Sequence, residues 1–131
     1  MPENQPLAVV AGVVRRNGRV MICQRRPEVH NGLKWEFPGG KLEKGESPEQ
    51  ALARELREEL GIEALVGGIL GTVRYRYPEK EVLVMFFDCR ILRGEPKTLD
   101  CNAIEWVTPR QLKGYDFAGA DRVFVTEKLK L

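Results

Sequence analysis

The amino-acid sequence predicts an α/β fold in which a mixed β-sheet is covered by helices on both faces. Three observations support this prediction: short apolar runs bounded by turn residues, one strongly capped helix between them, and a second helical pattern near the C-terminus. The chain has 131 residues, enough for one domain with a hydrophobic core and too few for two. We therefore expect residues 1–131 to form a single domain.

The first elements are predicted to be two β-strands joined by a tight hairpin. Residues 7–14 and Arg19–Gln24 are apolar and β-rich, and Asn17-Gly18 between them is a strong hairpin signal. A polar loop follows and leads to an extended segment at residues 35–37. That segment is expected to enter a turn at Pro38-Gly39-Gly40, where two glycines let the backbone approach a ligand closely.

Residues 47–61 carry the signals of one amphipathic helix. Ser47 and Gln50 match a capping box, Pro48 suits the first helical position, and Gly61 suits the position just after the C-terminus. The apolar residues at helical spacing, which are expected to face the core, are Leu52, Ala53, Leu56 and Leu60.

The second half of the chain predicts three strands and two short helices. Residues 65–77 contain three glycines and predict a strand that begins irregularly, whereas residues 81–92 are apolar enough for a central strand. Ala103–Val107 is predicted to be a short strand. Thr108 and Pro109 indicate the start of a short helix, and residues 120–129 predict a final amphipathic helix.

Charge and cysteine usage restrict the class of protein. The net charge of +2 argues against a protein that coats nucleic acid, so no polymer partner is expected. Cys23, Cys89 and Cys101 share no C-x-x-C spacing and lie in or beside apolar runs. They are predicted to be buried, reduced thiols of a cytoplasmic protein. Residues 7–14 are too short to span a membrane, and we expect no membrane partner and a monomer or homodimer.

A row of carboxylates lies on one side of the predicted helix. Glu55, Glu58 and Glu59 have the spacing i, i+3, i+4, at which like charges repel by a few tenths of a kcal/mol per pair. A divalent cation would offset this repulsion, because Mg²⁺ takes oxygen ligands and bridges carboxylates to substrate phosphates. The alternative is a solvated acidic face paired with Arg54 and Arg57.

A wider pattern distinguishes these interpretations. The chain matches G-x5-E-x7-R-E-U-x-E-E-x-G-U, in which U is a bulky aliphatic residue, without a departure at Gly40, Glu46, Arg54, Glu55, Leu56, Glu58, Glu59, Gly61 and Ile62. At average residue frequencies a chance match is on the order of 10⁻⁹ per starting position. The pattern resembles the box of the Nudix hydrolases, and the order of the remaining segments is similar to that of MutT-type members.

The resemblance implies a Nudix fold, an α/β/α sandwich around a mixed sheet, and an enzyme. The expected reaction is Mg²⁺-dependent hydrolysis of (deoxy)nucleoside triphosphates to a nucleoside monophosphate and pyrophosphate, with Mn²⁺ as a substitute. Expected substrates include oxidised or modified nucleotides such as 8-oxo-dGTP or modified (d)CTP. Two alternatives are a Nudix hydrolase of another diphosphate such as ADP-ribose, which Pro78 favours weakly, and a non-catalytic nucleotide-binding module.

The resemblance also assigns roles to individual residues. The metal ligands it implies are the carbonyl of Gly39 and the carboxylates of Glu55, Glu58, Glu59 and Glu105. Arg54 is expected to orient the glutamates, and Glu46 to support the loop and helix. Glu55 is the expected acceptor of the attacking water's proton, with Glu58 or Glu105 as substitutes. Phosphate contacts are expected from the side chains of Arg26 and Lys41 and from the backbone at Gly40.

Recognition of the base is assigned to two residues. Asp121 stands where MutT-type enzymes specific for 8-oxoguanine have an asparagine, and an ionised carboxylate can only accept hydrogen bonds. This favours a base edge rich in N–H groups and argues against strict preference for 8-oxo-dGTP. The alternative role for Asp121 is an interaction with a helix N-terminus. Phe37 is expected either to stack on the base or to belong to the core.

Overall fold

A seven-stranded mixed sheet forms the centre of the structure, a computed structural model that describes residues 5–130. The strands are β1 (Leu7–Arg16), β2 (Arg19–Gln24), β3 (Trp35–Glu36), β4 (Gly39–Lys41), β5 (Glu63–Arg76), β6 (Glu81–Arg93) and β7 (Ala103–Val107). Their order is β3-β2-β1-β6-β5, while β4 pairs with β1 and β7 pairs with β2. The predicted strands are therefore confirmed, although β1, β5 and β6 differ from the expected ends by one or two residues.

Strand β1 is the central element of the sheet. It pairs in parallel with β6, from Leu7 with Val82 to Val14 with Cys89, and antiparallel with β4. The hairpin from β1 to β2 has Asn17 and Gly18 at positive φ (53° and 77°), as a type I′ turn requires. The irregular start predicted for the glycine-rich strand is also confirmed, because the pairing of β5 with β6 shifts register three times near its beginning.

Helix α1 (Pro48–Leu60) covers one face of the sheet. The capping box of Ser47 and Gln50 is formed, and Gly61 adopts the left-handed conformation (φ 71°) that ends the helix. The buried residues of the helix are Ala51, Leu52, Leu56 and Leu60. The expected burial of Ala53 was wrong, because Ala51 is the alanine that faces the core while Ala53 stays partly exposed.

The C-terminal segments cover the opposite face. Residues 108–114 form a 3₁₀ helix (Pro109–Gly114), and α2 (Gly119–Val123) continues into a π-helical turn (Phe124–Lys128). Phe86 of β6 stacks on Phe124, with ring centroids 3.9 Å apart. Two apolar cores, one on each face of the sheet, thus give the α/β/α sandwich that the sequence predicts. No helix among residues 5–130 is long and apolar enough to cross a membrane.

The glycine segment before α1 differs from its prediction. Gly39–Lys41 forms a strand rather than a turn, because Gly39 pairs with Ala11 and Gly40 with Val10. Side chains are excluded here on steric grounds, since a Cβ on Gly39 would overlap the carbonyl oxygen of Val10. The glycines are therefore needed for close approach to β1, and this approach sets the position of the segment beside α1.

Candidate active site

A cavity of about 340 Å³ opens beside β4 and the last turn of α1. One part of its wall is acidic and carries Glu36, Glu59 and Asp100, which come from three separate parts of the chain. Another part of the wall, near the start of α2, carries Phe37 and Asp121. Among the predicted site residues, the cavity also brings together Arg26, Gly39, Gly40 and Lys41.

The backbone of β4 turns one carbonyl toward the cavity. Pro38 O accepts a hydrogen bond from Gly12 N (2.8 Å), and Leu42 N donates to Ala8 O (3.5 Å). Since backbone groups alternate in direction along an antiparallel strand, the carbonyl of Gly39 points away from β1. Gly40 lies against the carboxylate of Glu55 so closely that a Cβ there would overlap it.

The carboxylates of α1 differ in their surroundings. Glu59 is hydrogen-bonded to Glu55, and its pKa is raised mainly by burial, then by that hydrogen bond and by the charges of Glu55, Glu36 and Asp100. Glu58 is more exposed, with 60% of its side chain accessible. Glu55 and Glu59 therefore act as one acidic unit with a tightly held proton, whereas Glu58 lies at its rim.

Arg54 is the cation that holds this helix face in place. Its Nη1 lies 3.2 Å from both Glu55 Oε2 and Glu58 Oε1, and its Nε donates to Glu46 Oε2 at 2.6 Å. Its Nη2 donates to the carbonyl of Lys41, so the guanidinium also joins α1 to β4. The hydrogen bonds from Arg54 lower the pKa of Glu46. The geometry matches the orienting and supporting roles predicted for Arg54 and Glu46.

The carboxyl groups at the acidic end of the cavity are chemically suited to bind a divalent cation. Glu36, Glu59 and Asp100 line this end, Glu55 lies next to Glu59 behind this wall, and the charges of Glu36, Glu55 and Asp100 raise the pKa of Glu59. A cation would replace that proton and remove the repulsion. In the described part of the chain, no three acidic, cysteine or histidine side chains already converge as a complete ligand set. Arg54 attracts Glu55 and Glu58 instead, so metal binding requires these two carboxylates to turn.

Asp100 is a site residue that the sequence interpretation missed. It lies in the segment between β6 and β7 and lines the cavity together with Glu59 and Gly39. Its carboxylate lies 3.9 Å from Arg26 Nη2 and contributes to the raised pKa of both Glu36 and Glu59. The sequence held one signal for it, an isolated acidic residue in a polar segment directly before a strand, but that signal alone is weak.

Glu105 is not brought to the carboxylates of α1. In β7 its neighbours Ile104 and Trp106 pack against the core on the α1 face, so alternation directs Glu105 to the other face. It pairs with Ile22, whose side chain belongs to the core beneath the C-terminal helices, and it is exposed. The geometry therefore does not support the predicted metal-binding and catalytic roles of Glu105, and Asp100 lies where that later carboxylate was expected.

Basic side chains line the mouth of the cavity. Arg26 is 44% exposed, has long contacts to Glu28 and Asp100 (3.9 Å each) and donates one long hydrogen bond to the carbonyl of Leu99 (3.4 Å), so its guanidinium can reorient toward a ligand. Lys41 is exposed at the end of β4. Arg25 has a different role, since its Nη1 pairs with Glu36 Oε1 at 2.8 Å and its Nε donates to the carbonyl of His30. Arg26 and Lys41, together with Lys80 in the cavity wall, are basic groups able to meet phosphate oxygens.

Asp121 closes the other end of the cavity. Its Oδ1 accepts a hydrogen bond from the backbone N–H of Phe37 (3.1 Å). Its side chain lines the cavity and is partly buried, and burial raises its pKa to about 8, with a further contribution from the charge of Glu36. At neutral pH the group is therefore mainly a neutral acid. The expectation of an ionised carboxylate that can only accept was wrong, because desolvation disfavours the charged form.

Phe37 forms part of the core rather than an open stacking surface. Only 3% of it is exposed, and its ring stacks on Phe117 with centroids 5.5 Å apart. The rings of Phe86 and Phe124 meet it edge to face. Its contribution to the site is the backbone N–H that binds Asp121. Of the two alternatives for Phe37, the core is thus the one the geometry supports.

Comparison with known proteins agrees with this architecture. The NUDIX domain family model matches residues 4–127. A protein of Escherichia coli named 8-oxo-dGTP diphosphatase is 32% identical over 95% of this chain and 98% of its own length. Another E. coli protein, named CTP pyrophosphohydrolase, is 35% identical over 88% of this chain and 85% of its own length. The crystal structure of the MutT protein from Methanosarcina mazei superposes with a TM-score of 0.83 at 28% identity, covering 93% and 92% of the two chains.

Proposed function

Because the chain belongs to the NUDIX family of hydrolases, we propose that it is a Mg²⁺-dependent pyrophosphohydrolase of (deoxy)nucleoside triphosphates. The reaction uses one water to give a nucleoside monophosphate and pyrophosphate. The proposed substrates carry an oxidised guanine or a cytosine-type base, in keeping with the two relatives whose names specify 8-oxo-dGTP and CTP.

The observation that carries this proposal is the shape and charge of one cavity. A single space of about 340 Å³ has an acidic end at Glu59 and Asp100, basic groups at its mouth, and the neutral acid of Asp121 at the other end. A triphosphate needs cations at its phosphates and directional polar groups at its base. Both requirements are met within one continuous site.

The metal would be held at the acidic end. Its ligands would be the Gly39 carbonyl and the carboxylates of Glu55, Glu58 and Glu59, with Asp100 contributing from the opposite wall. When bound, Mg²⁺ or Mn²⁺ would lower the pKa of a water, polarise the phosphoryl group and screen the substrate charge.

The side chains of the chain position the reactants and move the proton. Glu55 is the proposed base, because it lies against Gly40, which lines the cavity, and Arg54 donates one hydrogen bond to its carboxylate. Arg54 also fixes α1 to the carbonyl of Lys41 and so keeps the acidic face aligned with β4. Arg26 and Lys41 would neutralise phosphate oxygens at the mouth and hold the leaving pyrophosphate.

Asp121 would select the base through its protonation. One carboxyl oxygen already accepts from Phe37 N–H, so the proton of the neutral acid resides on the other oxygen and can be donated. Such a group recognises an acceptor beside a donor, as on 8-oxoguanine (O6 and N7–H) or cytosine (N3 and the amino group). The corresponding edge of unmodified guanine carries two acceptors, N7 and O6, and makes one hydrogen bond fewer.

The experiment that tests this function is product analysis with a panel of nucleotides. The substrates are 8-oxo-dGTP, dGTP, CTP, dCTP, 5-methyl-dCTP and ADP-ribose, each with Mg²⁺ and with EDTA. We expect EDTA-sensitive release of pyrophosphate from 8-oxo-dGTP or a cytidine triphosphate, lowered at least a hundredfold in Glu55→Gln. Glu49→Gln, which changes an exposed glutamate in the first turn of the same helix, is the matched control and should retain activity.

Two outcomes would contradict the proposal. Cleavage of ADP-ribose without turnover of any triphosphate would assign the cavity to a different diphosphate substrate. Metal-independent turnover would exclude the acidic end as a metal-dependent catalytic centre, and full activity of Glu55→Gln would refute Glu55 as the base.

A further inference from the structure

Two of the three cysteines are neighbours although they are far apart in sequence. Cys23 lies near the end of β2, and Cys101 precedes β7. Cys101 packs against the apolar cluster that contains Cys23, and the neighbouring Cys101 thiol is the main reason that the pKa of Cys23 lies well above its ordinary value. Cys23 is buried with 2% exposure, whereas Cys101 is only partly buried, which departs from the prediction of three buried thiols. Solvent can therefore reach the pair from the side of Cys101.

Backbone and side-chain hydrogen bonds hold the segment of Cys101 beside the end of β2. Asn102 N donates to Gln24 O (2.8 Å), and Asn102 Nδ2 donates to Gln24 Oε1 (2.7 Å). These bonds join the residue after each cysteine and therefore keep Cys101 close to the strand that carries Cys23. Cys101 Sγ also lies 3.6 Å from the carbonyl of Ala103.

The third cysteine has a different environment. Cys89 is buried in β6, where its thiol donates to the carbonyl of Phe87 and packs over Gly12, 3.3 Å from the position that a Cβ would occupy there. Among the described contacts of its sulfur there is no second thiol. Cys89 is therefore an internal control for the chemistry of the pair.

We propose that Cys23 and Cys101 are a redox-active dithiol and that peroxides convert it to an intramolecular disulfide. The sulfur of Cys101 attacks one peroxide oxygen, the O–O bond breaks, and a sulfenic acid and water form. The sulfur of Cys23 then displaces the hydroxyl, the S–S bond forms, and a second water leaves with the remaining proton. The two thiols lose two electrons and two protons in total, and hydrogen peroxide is reduced to two waters.

The disulfide would act on the acidic end of the cavity. Bonded sulfurs are about 2.0 Å apart, closer than two thiols in a hydrogen bond, so bond formation draws Cys101 toward β2. Asp100 is adjacent in sequence and moves with it, which changes its position relative to Glu59 in the wall of the cavity. This effect on activity rests on the proposed function, whereas formation of the bond does not.

The test measures the bond and the activity separately on the whole chain. After treatment with hydrogen peroxide, the unfolded protein should show one free thiol instead of three, lose two hydrogen atoms in mass, and recover with dithiothreitol. Cys89→Ala should behave in the same way, with no free thiol after oxidation, whereas Cys101→Ser should form no intramolecular disulfide. The oxidised protein should also need roughly ten-fold more Mg²⁺ for half-maximal activity, an effect absent in Cys101→Ser.

Different results would refute different parts of the proposal. Oxygen adducts without a cross-link, or a disulfide that involves Cys89 or a second chain, would refute the dithiol. A Cys23–Cys101 bond with unchanged Mg²⁺ dependence would confirm the modification site and refute its effect on Asp100. If no nucleotide were hydrolysed at all, the thiol count would still decide the first point.

Discussion

Replacing Asp121 with asparagine is expected to stabilise the protein increasingly as the pH rises. The pKa of Asp121 is raised from 3.8 to about 8 by burial, so between these values the folded chain holds a proton that the unfolded chain has lost. The parent's free energy of unfolding therefore falls through this range by up to about 1.4 kcal/mol per pH unit, and the fall stops above pH 8. Asparagine has no proton to lose and can still accept from Phe37 N–H.

The assay is urea unfolding of both proteins from pH 5 to pH 9. The difference in unfolding free energy should grow by at most about 4 kcal/mol between pH 5 and pH 8, with this ceiling reduced by water that enters the cavity. Taking the difference cancels the contributions of carboxyls that do not interact with Asp121, such as Glu59, whereas part of the contribution of the interacting Glu36 remains in it. Asp116→Asn, which changes an exposed aspartate in the segment just before α2, should show no such growth. A difference that is flat across this range would refute the neutral Asp121, and with it the proposed donor to the base.

Three further predictions concern the acidic face and its support. Gly40→Ala places a methyl group on the Glu55 carboxylate and should lower kcat/KM at least ten-fold with an unchanged circular dichroism spectrum. Arg54→Lys keeps the charge but loses the fork that reaches Glu46, Glu55 and the carbonyl of Lys41, so Mg²⁺-dependent turnover should fall at least ten-fold in steady-state assays. Addition of MgCl₂ should raise the thermal midpoint of the parent, and EDTA should reverse the rise. Unchanged kinetics in either variant, or a thermal midpoint that Mg²⁺ does not change, would contradict the proposed acidic face of α1 and its support by Arg54.

Short sequence patterns were sufficient to predict the elements whose conformation depends only on residues close together in the chain. The Asn17-Gly18 turn and the Ser47 capping box depend on residues adjacent in the chain, and both form as predicted. The strand at Gly39–Lys41 was not predicted, because its conformation comes from pairing with β1 and not from its own glycines.

The site was predictable where its residues share one helix and not where the sheet brings distant segments together. Asp100 enters the cavity because β7 pairs with β2, a contact between remote parts of the chain. Glu105 was misassigned because its direction depends on the alternation set by Ile104 and Trp106. The protonation of Asp121 is a property of its surroundings in three dimensions, which residue type alone does not reveal.

The parallel pairing of β1 with β6 bears on how the protein is made. Leu7 emerges early from the ribosome, but its partner Val82 is synthesised only after α1 and all of β5 are complete. The apolar face of α1 has no finished sheet to cover until then, so the nascent chain carries it exposed for much of translation. Non-local pairing of this kind also slows folding. The carboxylates of α1 therefore acquire their fixed positions late, together with the rest of the sheet, and a chain that stops before β6 carries α1 without a complete sheet to support it.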